Sequence, residues 1–260
     1  MFDLHSHIIY GVDDGSQTLE TSQKLLEQAA ACGTTGLFAT PHVIEMHNHP
    51  SWSLIQEQLA ELQSFVPDNK LKLYPGAEVE MSWDILAAYD EAPGAYCLNG
   101  GRYALVELPM FEVPARAEDF WFELQLKGIT PILAHPERYP ALWKTPERLL
   151  EWLHKGMLLQ INGGSLIGSF GEASQKNAEL LLANHLVSFI GSDAHNPQRR
   201  NTDLTAARQR LAQLVTPAEY QAINITNPQT VLHNQIIEIT VPKKLVQEKP
   251  KQSFWSKLFG

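Results

Sequence analysis

Seven short, almost wholly apolar runs recur along the chain, at 2–9, 36–42, 71–78, 103–107, 130–135, 158–162 and 187–195. Continuous rather than alternating runs predict strands covered on both faces, as in a parallel sheet packed under helices. Between the runs, apolar positions switch to the spacing of an amphipathic helix. In 18–32, Leu19, Leu25, Leu26, Ala29 and Ala30 share one broad face, and Gly33 ends the pattern. The segment 53–65 repeats it with Leu54, Ile55, Leu59, Leu62 and Phe65. Further helices are predicted at 84–88, 117–127, 146–155, 172–183 and 202–214, with short closing helices at 217–223 and 228–233. Strand–helix alternation with short connections favours right-handed βαβ units. The expected class is α/β, with the strands curled into a barrel.

The polar residues at the ends of these runs change the picture from a fold to a site. The runs carry, in order, His5 and His7, His42, Glu78, Glu107, His135, Asn162, and Asp193 with His195. In a barrel of parallel strands the C-terminal ends share one rim. Residues two apart in a strand point to the same face, so His5 and His7 can grip one ion. Asp193 and His195 repeat that spacing, and barrel closure would set the two pairs side by side. Pro41 favours an extended Thr40 and projects His42 at its strand end. Glu78 and Glu107 end apolar runs, where an unpaired carboxylate is costly to bury, so each needs a metal or an arginine. Glu78 has two oxygens with which to bridge two ions, and Glu80 shares its face as a substitute. Asp14 is a candidate in the loop 11–15; Asp13 competes with it, and an Asx turn or helix cap is the plainer role there. His47 and His49 read as loop histidines. Asn162 is expected to support a ligand or touch substrate, not to bind metal.

Imidazole and carboxylate donors without sulfur suit manganese, zinc or iron. Two or three such ions close together can hold both the attacking and the departing oxygen of a phosphate ester. Arg138, Arg199 and Arg200 follow directly after candidate ligands, and a planar guanidinium matches phosphate oxygens in a bidentate manner. A net charge of −9 argues against gripping nucleic acid through its phosphates. Cys32 and Cys97 make no disulfide framework. Cys97 to Arg102 is one residue short of the Cys-x5-Arg of cysteine phosphatases, so a phosphocysteine route is not expected. With no basic-then-apolar leader and no long apolar span, a cytoplasmic protein is expected. The last twenty residues, 241–260, carry five lysines against one glutamate and end in Phe254, Trp255, Leu258 and Phe259. They read as a flexible tail, or as a basic-aromatic anchor through which alone a membrane would be touched.

DLHSH at 3–7, GVDDG at 11–15, TPH at 40–42, GAE at 76–78, YALVE at 103–107, AHPERY at 134–139 and GSDAH at 191–195 together resemble the PHP (polymerase and histidinol phosphatase) superfamily. Within it their order and spacing are similar to the bacterial capsular-polysaccharide tyrosine phosphatases of the CpsB/CapC type, over roughly residues 1–235. Other branches often place a histidine where Glu107 stands. The resemblance implies a single-domain, distorted (β/α)7 TIM-like barrel over 1–240, with the tail 241–260 outside it, and a trinuclear, manganese-preferring site in which zinc or iron would also fit. It implies that His5, His7, Glu78 and Asp193 bind one ion, and that Glu78 bridges to a second held by Glu107 and His135. Asp14, His42 and His195 would surround the third. Arg138 and Arg200 fall at substrate-phosphate positions, with Arg199 the neighbouring competitor for the second. The implied activity is hydrolysis of phosphotyrosine in protein, with Asp14, Arg138 and Arg200 as the catalytic side chains. The implied partner is a bacterial tyrosine autokinase controlling exopolysaccharide or capsule synthesis at the inner face of the cell membrane. A tyrosinate leaves with a pKa of about 10, so a strong general acid is dispensable, Asp14 being the candidate among the side chains. The rival expectations are a small-molecule phosphatase of histidinol-phosphate type and a catalytically idle module that captures phosphoproteins. A nuclease or proofreading role shares the superfamily and is disfavoured by the acidic balance.

Overall fold

The computed structural model describes residues 1–67 and 69–246. Its strands are β1 (Phe2–Asp3), β2 (Gly36–Ala39), β3 (His42–Val43), β4 (Lys72–Pro75), β5 (Glu78–Glu80), β6 (Tyr103–Glu107), β7 (Thr130–Ala134), β8 (Leu158–Asn162) and β9 (Phe189–Gly191). They form a three-stranded sheet, β1-β2-β4, and a six-stranded sheet, β3-β5-β6-β7-β8-β9. Every ladder is parallel, with registers such as Leu105 opposite Ile132 and Ile161 opposite Ile190. Two of the predicted runs are each split in two. Pro41 has no N–H to continue the ladder begun by β2, so β3 restarts at His42. The run 71–78 breaks at Gly76 and Ala77, between β4 and β5.

The parallel sheet curls until its first and last segments meet. Leu4 N–H donates to Ile190 O (3.2 Å), Asp193 N–H to His5 O (2.8 Å) and His7 N–H to Ala194 O (2.9 Å), and Ser6 forms a parallel bridge with Ala194. On the other side of that segment Thr40 N–H donates to Ser6 O at 2.8 Å. Residues 4–9 are therefore held between two neighbours without being a regular strand. The expectation of one continuous strand over 2–9 is corrected to the two-residue β1 and this bridged segment.

The long helices are Leu19–Ala31, Trp52–Gln63, Trp83–Glu91, Ala117–Leu126, Pro146–His154, Glu172–Ala183 and Thr205–Leu214. Thr18 and Ser51 cap the first two by accepting from the backbone N–H three residues on, at Thr21 and Leu54. The last begins at Thr205 and not 202, because Asn201 and Asp203 accept from the N–H groups of Asp203 and Thr205 and hold the chain in turns. A short helix, Gly163–Leu166, follows β8 where none was expected, and a π turn, Ala222–Thr226, links the two closing helices, Pro217–Gln221 and Asn227–Leu232.

Alternate strand residues serve two apolar layers. Leu37, Val106, Leu133 and Leu159 face the helices. Phe38, Leu105, Ile132, Leu158 and Phe189 form an inner cluster with Phe2 and Leu4. Truncating a buried aromatic such as Phe38 or Phe189 to Ala costs about 3–5 kcal/mol. Two positions beyond inner residues Leu105 and Leu158, the same face presents Glu107 and Gln160. The inner cluster is thus the floor of the site.

At the C-terminal end of the described chain, Val241 and Leu245 pack on the core, and the Asn184 side chain pairs with both backbone groups of Val246. The basic-aromatic segment from 247 to 260 lies outside the described residues. Among the described residues no helix is long and apolar enough to cross a membrane.

Candidate metal centre

All nine residues singled out as metal candidates come together on one rim. Their ligand atoms fall into four overlapping groups, each within 4.8 Å: His7, Asp14, His42 and His195; His5, Glu78 and His135; His5, His7 and Asp193; His42, Glu78 and Glu107. Glu78 belongs to two groups, as a bridging carboxylate would. Glu107 falls with His42 and Glu78, and His135 with His5 and Glu78. Glu80, two residues after Glu78, lies opposite Glu107 in the ladder and joins no group among the described residues. His47 and His49 stay outside as well.

Close approach of backbone makes this convergence possible. A Cβ on Gly191 would stand 2.5 Å from His5 Cβ, and one on Gly15 would stand 2.4 Å from His7 Cβ. Only glycine lets β9 and the loop 11–15 lie against the two histidines. His135 and Asp193 both adopt left-handed backbone, with φ of 33° and 53°. For non-glycine residues that conformation is strained and tends to occur at functional sites.

The outer nitrogens show which way the rings face. His5 Nδ1–H donates to Gln160 Oε1 (3.0 Å) and His7 Nδ1–H to Asp13 Oδ2 (2.8 Å), assigned from the hydrogen-bond network. Both Nε2 atoms therefore point inward, where they lie 3.1 and 3.3 Å from Glu78 Oε2. His195 Nδ1–H donates to Asp193 O (3.0 Å), so its Nε2 lone pair faces Asp14 Oδ1 at 3.3 Å. Among the described residues, buried Glu78 Oε2 and His195 Nε2 have no hydrogen-bond partner, while His42 Nδ1 lies 2.8 Å from Glu107 Oε1. Bare acceptors aimed at shared points, with their outer atoms already oriented, fit divalent cations.

Charge in the centre is strongly coupled. Burial alone would raise the Glu78 carboxyl; His5, His42 and His135 reverse that and hold it well below the ordinary glutamate range. Asp193 behaves alike: burial is opposed by His5, His7, Arg200 and His135, and its carboxyl ends well below the usual value. Burial opposes a charge on His7, but Asp13, Asp193 and Glu78 together outweigh it, and the ring rises well above the ordinary histidine value. Burial likewise opposes a charge on His42, yet Glu78 and Glu107 lift it to about 9.

The loop aspartates divide their roles. Asp13 makes the Asx turn, accepting from Gly15 N–H at 2.9 Å, and also accepts from His7 and from His42 N–H. Asp14 instead reaches the inward ring nitrogens, its Oδ1 lying 3.3 Å from His195 Nε2 and 3.5 Å from His42 Nε2. Asn162 donates to Asp193 Oδ2 at 2.6 Å, so it sits behind a candidate ligand. Gln160 and Phe170 were missed from the sequence. A glutamine inside the apolar run 158–162 was the available signal for the first; an aromatic in a glycine-flanked turn was a weak one for the second.

Arg138 and Arg200 close on opposite oxygens of Asp193: Arg138 Nη1 lies 2.9 Å from Oδ2, and Arg200 Nη2 lies 2.5 Å from Oδ1. Arg199 is exposed, and its backbone N–H is held by Asn196 Oδ1. Cys97 is buried away from the centre, and burial pushes its thiol up to about 12.

The family model for capsular polysaccharide synthesis, CpsB/CapC, matches residues 1–233. CapC of Staphylococcus aureus is 32% identical over 255 residues, 96% of this chain and 98% of that protein. The tyrosine-protein phosphatase YwqE of Bacillus subtilis is 30% identical over 255 residues, with the same coverage of 96% and 98%. A crystal structure from work on YwqE and on CpsB of Streptococcus pneumoniae, described as unique metal-dependent tyrosine phosphatases, superposes with a TM-score of 0.84 at 29% identity. It covers 96% of this chain and 100% of that one. Histidinol phosphate phosphatase of Lactococcus lactis, at 16% identity, TM-score 0.54 and coverage of 81% and 91%, shares the fold. A model match over nearly the whole described chain, joined to relatives of equal length, places this protein in the CpsB/CapC family of capsular polysaccharide synthesis.

Proposed function

We propose that this chain is a metal-dependent protein-tyrosine phosphatase acting on a bacterial tyrosine autokinase that controls capsule or exopolysaccharide synthesis. The observation that carries the reading is the pair of guanidiniums, Arg138 and Arg200, set on one carboxylate of a centre whose bare donors fit divalent ions. Likeness to tyrosine phosphatases over the whole chain supports the substrate class. His5, His7, Asp14, His42, Glu78, Glu107, His135, Asp193 and His195 would hold two or three ions, manganese first and zinc or iron as alternatives. When bound, such ions supply Lewis acidity toward phosphate oxygens and acidify water at neutral pH.

The chain's own groups do the rest. Arg138 and Arg200 keep N–H groups beyond those spent on Asp193, aimed at phosphate oxygens on which charge builds during transfer. Asn162 and the arginines keep Asp193 oriented. Asp14, its side chain 66% exposed, stands at the mouth, where His195 holds its carboxyl below the ordinary aspartate range and so in the ionised form. The phenolic leaving group asks little of it, since tyrosinate departs with a pKa of about 10. We read the two sheets as one interrupted seven-strand barrel, a distorted (β/α)7 fold over 1–240, in which β2/β3 and β4/β5 are broken halves of single strands. The tail 241–260 would bring a cytoplasmic enzyme to the inner membrane face where such a kinase resides.

The test is chelation followed by re-addition of manganese, zinc or iron singly, with kcat/KM read on a phosphotyrosine peptide and on histidinol phosphate. Metal-restored activity favouring the peptide is expected. Full activity after chelation sinks the mechanism, a preference for histidinol phosphate sinks the substrate, and no turnover on either leaves a binding module.

A further inference from the structure

Phe170 stands in the turn between the short helix Gly163–Leu166 and the helix Glu172–Ala183, flanked by Gly168 and Gly171 at φ of 80° and 88°. Its ring centroid lies 4.4 Å from the Arg138 guanidinium carbon and 5.7 Å from that of Arg200. Both distances are within the range where a cation is attracted to a ring face. The ring is itself pinned: a Cβ on Gly164 would stand 2.7 Å from Phe170 Cε2, so this glycine gives the ring its seat.

Arginine side chains are long and lose much rotamer freedom when ordered. Asp193 holds one edge of each guanidinium, but Asp193 is also a candidate ligand and cannot give its oxygens fully to both tasks. Beside Arg200 lies a hollow of about 340 Å³ lined by Phe170, Arg199, Ser192, Ile167 and Leu204, into which an unrestrained guanidinium could turn. We infer that Phe170 is a positioning residue for phosphate recognition, its ring holding Arg138 and Arg200 together so that both meet the same phosphate. This rests on the phosphatase reading for its consequence in turnover, but not for its consequence in phosphate binding.

The experiment compares the full chain with Phe170→Ala, Phe170→Leu and Phe170→Tyr, all manganese-loaded. Inorganic phosphate binding is measured by calorimetry, KM and kcat on a phosphotyrosine peptide, and metal content by elemental analysis. Ala and Leu are expected to weaken phosphate binding about tenfold, equivalent to about 1.4 kcal/mol, and to raise KM in step, with metal content unchanged. Tyr, which keeps the ring face, should stay within about twofold of the parent. Parent-like phosphate binding in the Ala or the Leu variant overturns the inference, the latter because bulk alone would then suffice. If Ala does not fold, the contrast of Leu with Tyr still decides. A parent that binds phosphate but does not turn over the peptide defeats the phosphatase reading while the binding series still judges Phe170. A parent that binds no phosphate overturns both.

Discussion

The Nε2 atoms of His5 and His7 face one another at 3.0 Å. Each ring has committed its Nδ1–H outward, to Gln160 and to Asp13, so in the metal-free protein a proton lies between two inward lone pairs. His7, against the cost of burial, is raised well above the ordinary histidine value, chiefly by Asp13, and His42, lifted to about 9, is charged at neutral pH. A metal ion must expel these protons. The sign follows: the protonated form is the metal-free form, so rising pH removes a competitor. Apparent metal affinity should climb as pH rises from 7 toward 9, and loading at pH 7 should release protons. Calorimetry in buffers of different ionisation enthalpy reads the release; heats independent of buffer would contradict it.

Asp13 and Gln160 orient the two histidines without belonging to the ligand groups. Partners behind metal-bound histidines are typically worth roughly 10- to 100-fold in affinity. Asp13→Ala and Gln160→Leu should each weaken manganese binding by about that factor in a competitive chelator titration. Unchanged affinity in both would mean that the rings are oriented by packing alone.

Arg138→Ala and Arg200→Ala should each lower kcat/KM on a phosphotyrosine peptide by roughly 10²–10³, the usual loss for a donor to transition-state charge. Arg199→Ala should change it by less than about threefold, since Arg199 is exposed and, among the described residues, is held only through its backbone N–H by Asn196. Arg200→Lys should recover little, because a point charge does not reproduce a planar fork. A larger loss for Arg199 than for Arg200 would reverse their roles.

Glu137 is buried, with one oxygen accepting from Asn162 N–H (2.9 Å) and Ser165 Oγ–H (2.7 Å) and the other unpartnered. Burial raises its carboxyl above 4.5, so the neutral form is favoured on folding. That stabilisation is complete below 4.5 and is lost as pH rises through the folded value. Glu137→Gln, neutral at every pH, should match or exceed the parent's stability in urea at pH 7.5, with a smaller advantage at pH 5. Glu137→Ala leaves the two donors without an acceptor and should cost about 1–3 kcal/mol. A glutamine variant less stable than the parent at pH 7.5 would refute this account.

Cys97, its thiol pushed up to about 12 by burial, is almost wholly un-ionised near pH 8. Because the thiolate is the nucleophile, iodoacetamide at that pH should leave both Cys97 and phosphatase activity intact. Loss of activity in step with labelling of Cys97 would reopen a cysteine mechanism.

Much of this was legible locally. The apolar faces of 18–32 and 53–65 announced the first two helices, which Thr18 and Ser51 cap by satisfying an orphan N–H three residues on. Pro41 made the extended Thr40 before His42 legible, but not the ladder break that its missing donor causes. His5, His7 and Asp193 were legible as polar residues in apolar runs, where burial without a partner is costly. The strand argument that placed His5 and His7 on one face was sound in outcome but not in structure: the segment is bridged, not a regular strand. Gln160 escaped because one residue in a run of five does not reveal that its amide meets a ring 155 positions away.

From the sequence alone came the alternation of strands and helices, the donor types, and the family, since each depends on residue identity and short spacing. Tertiary structure decided which donors share a point. Asp13 and Asp14, or Arg199 and Arg200, are chemically equal neighbours, and only the path of the backbone past Gly15 and out of β9 decides which of each pair meets the candidate ligands' inward atoms. It also set Phe170 beside two arginines from separate loops. Covalent order fixes distances only over a few residues; meetings across the rim depend on how a curled sheet brings its two ends together.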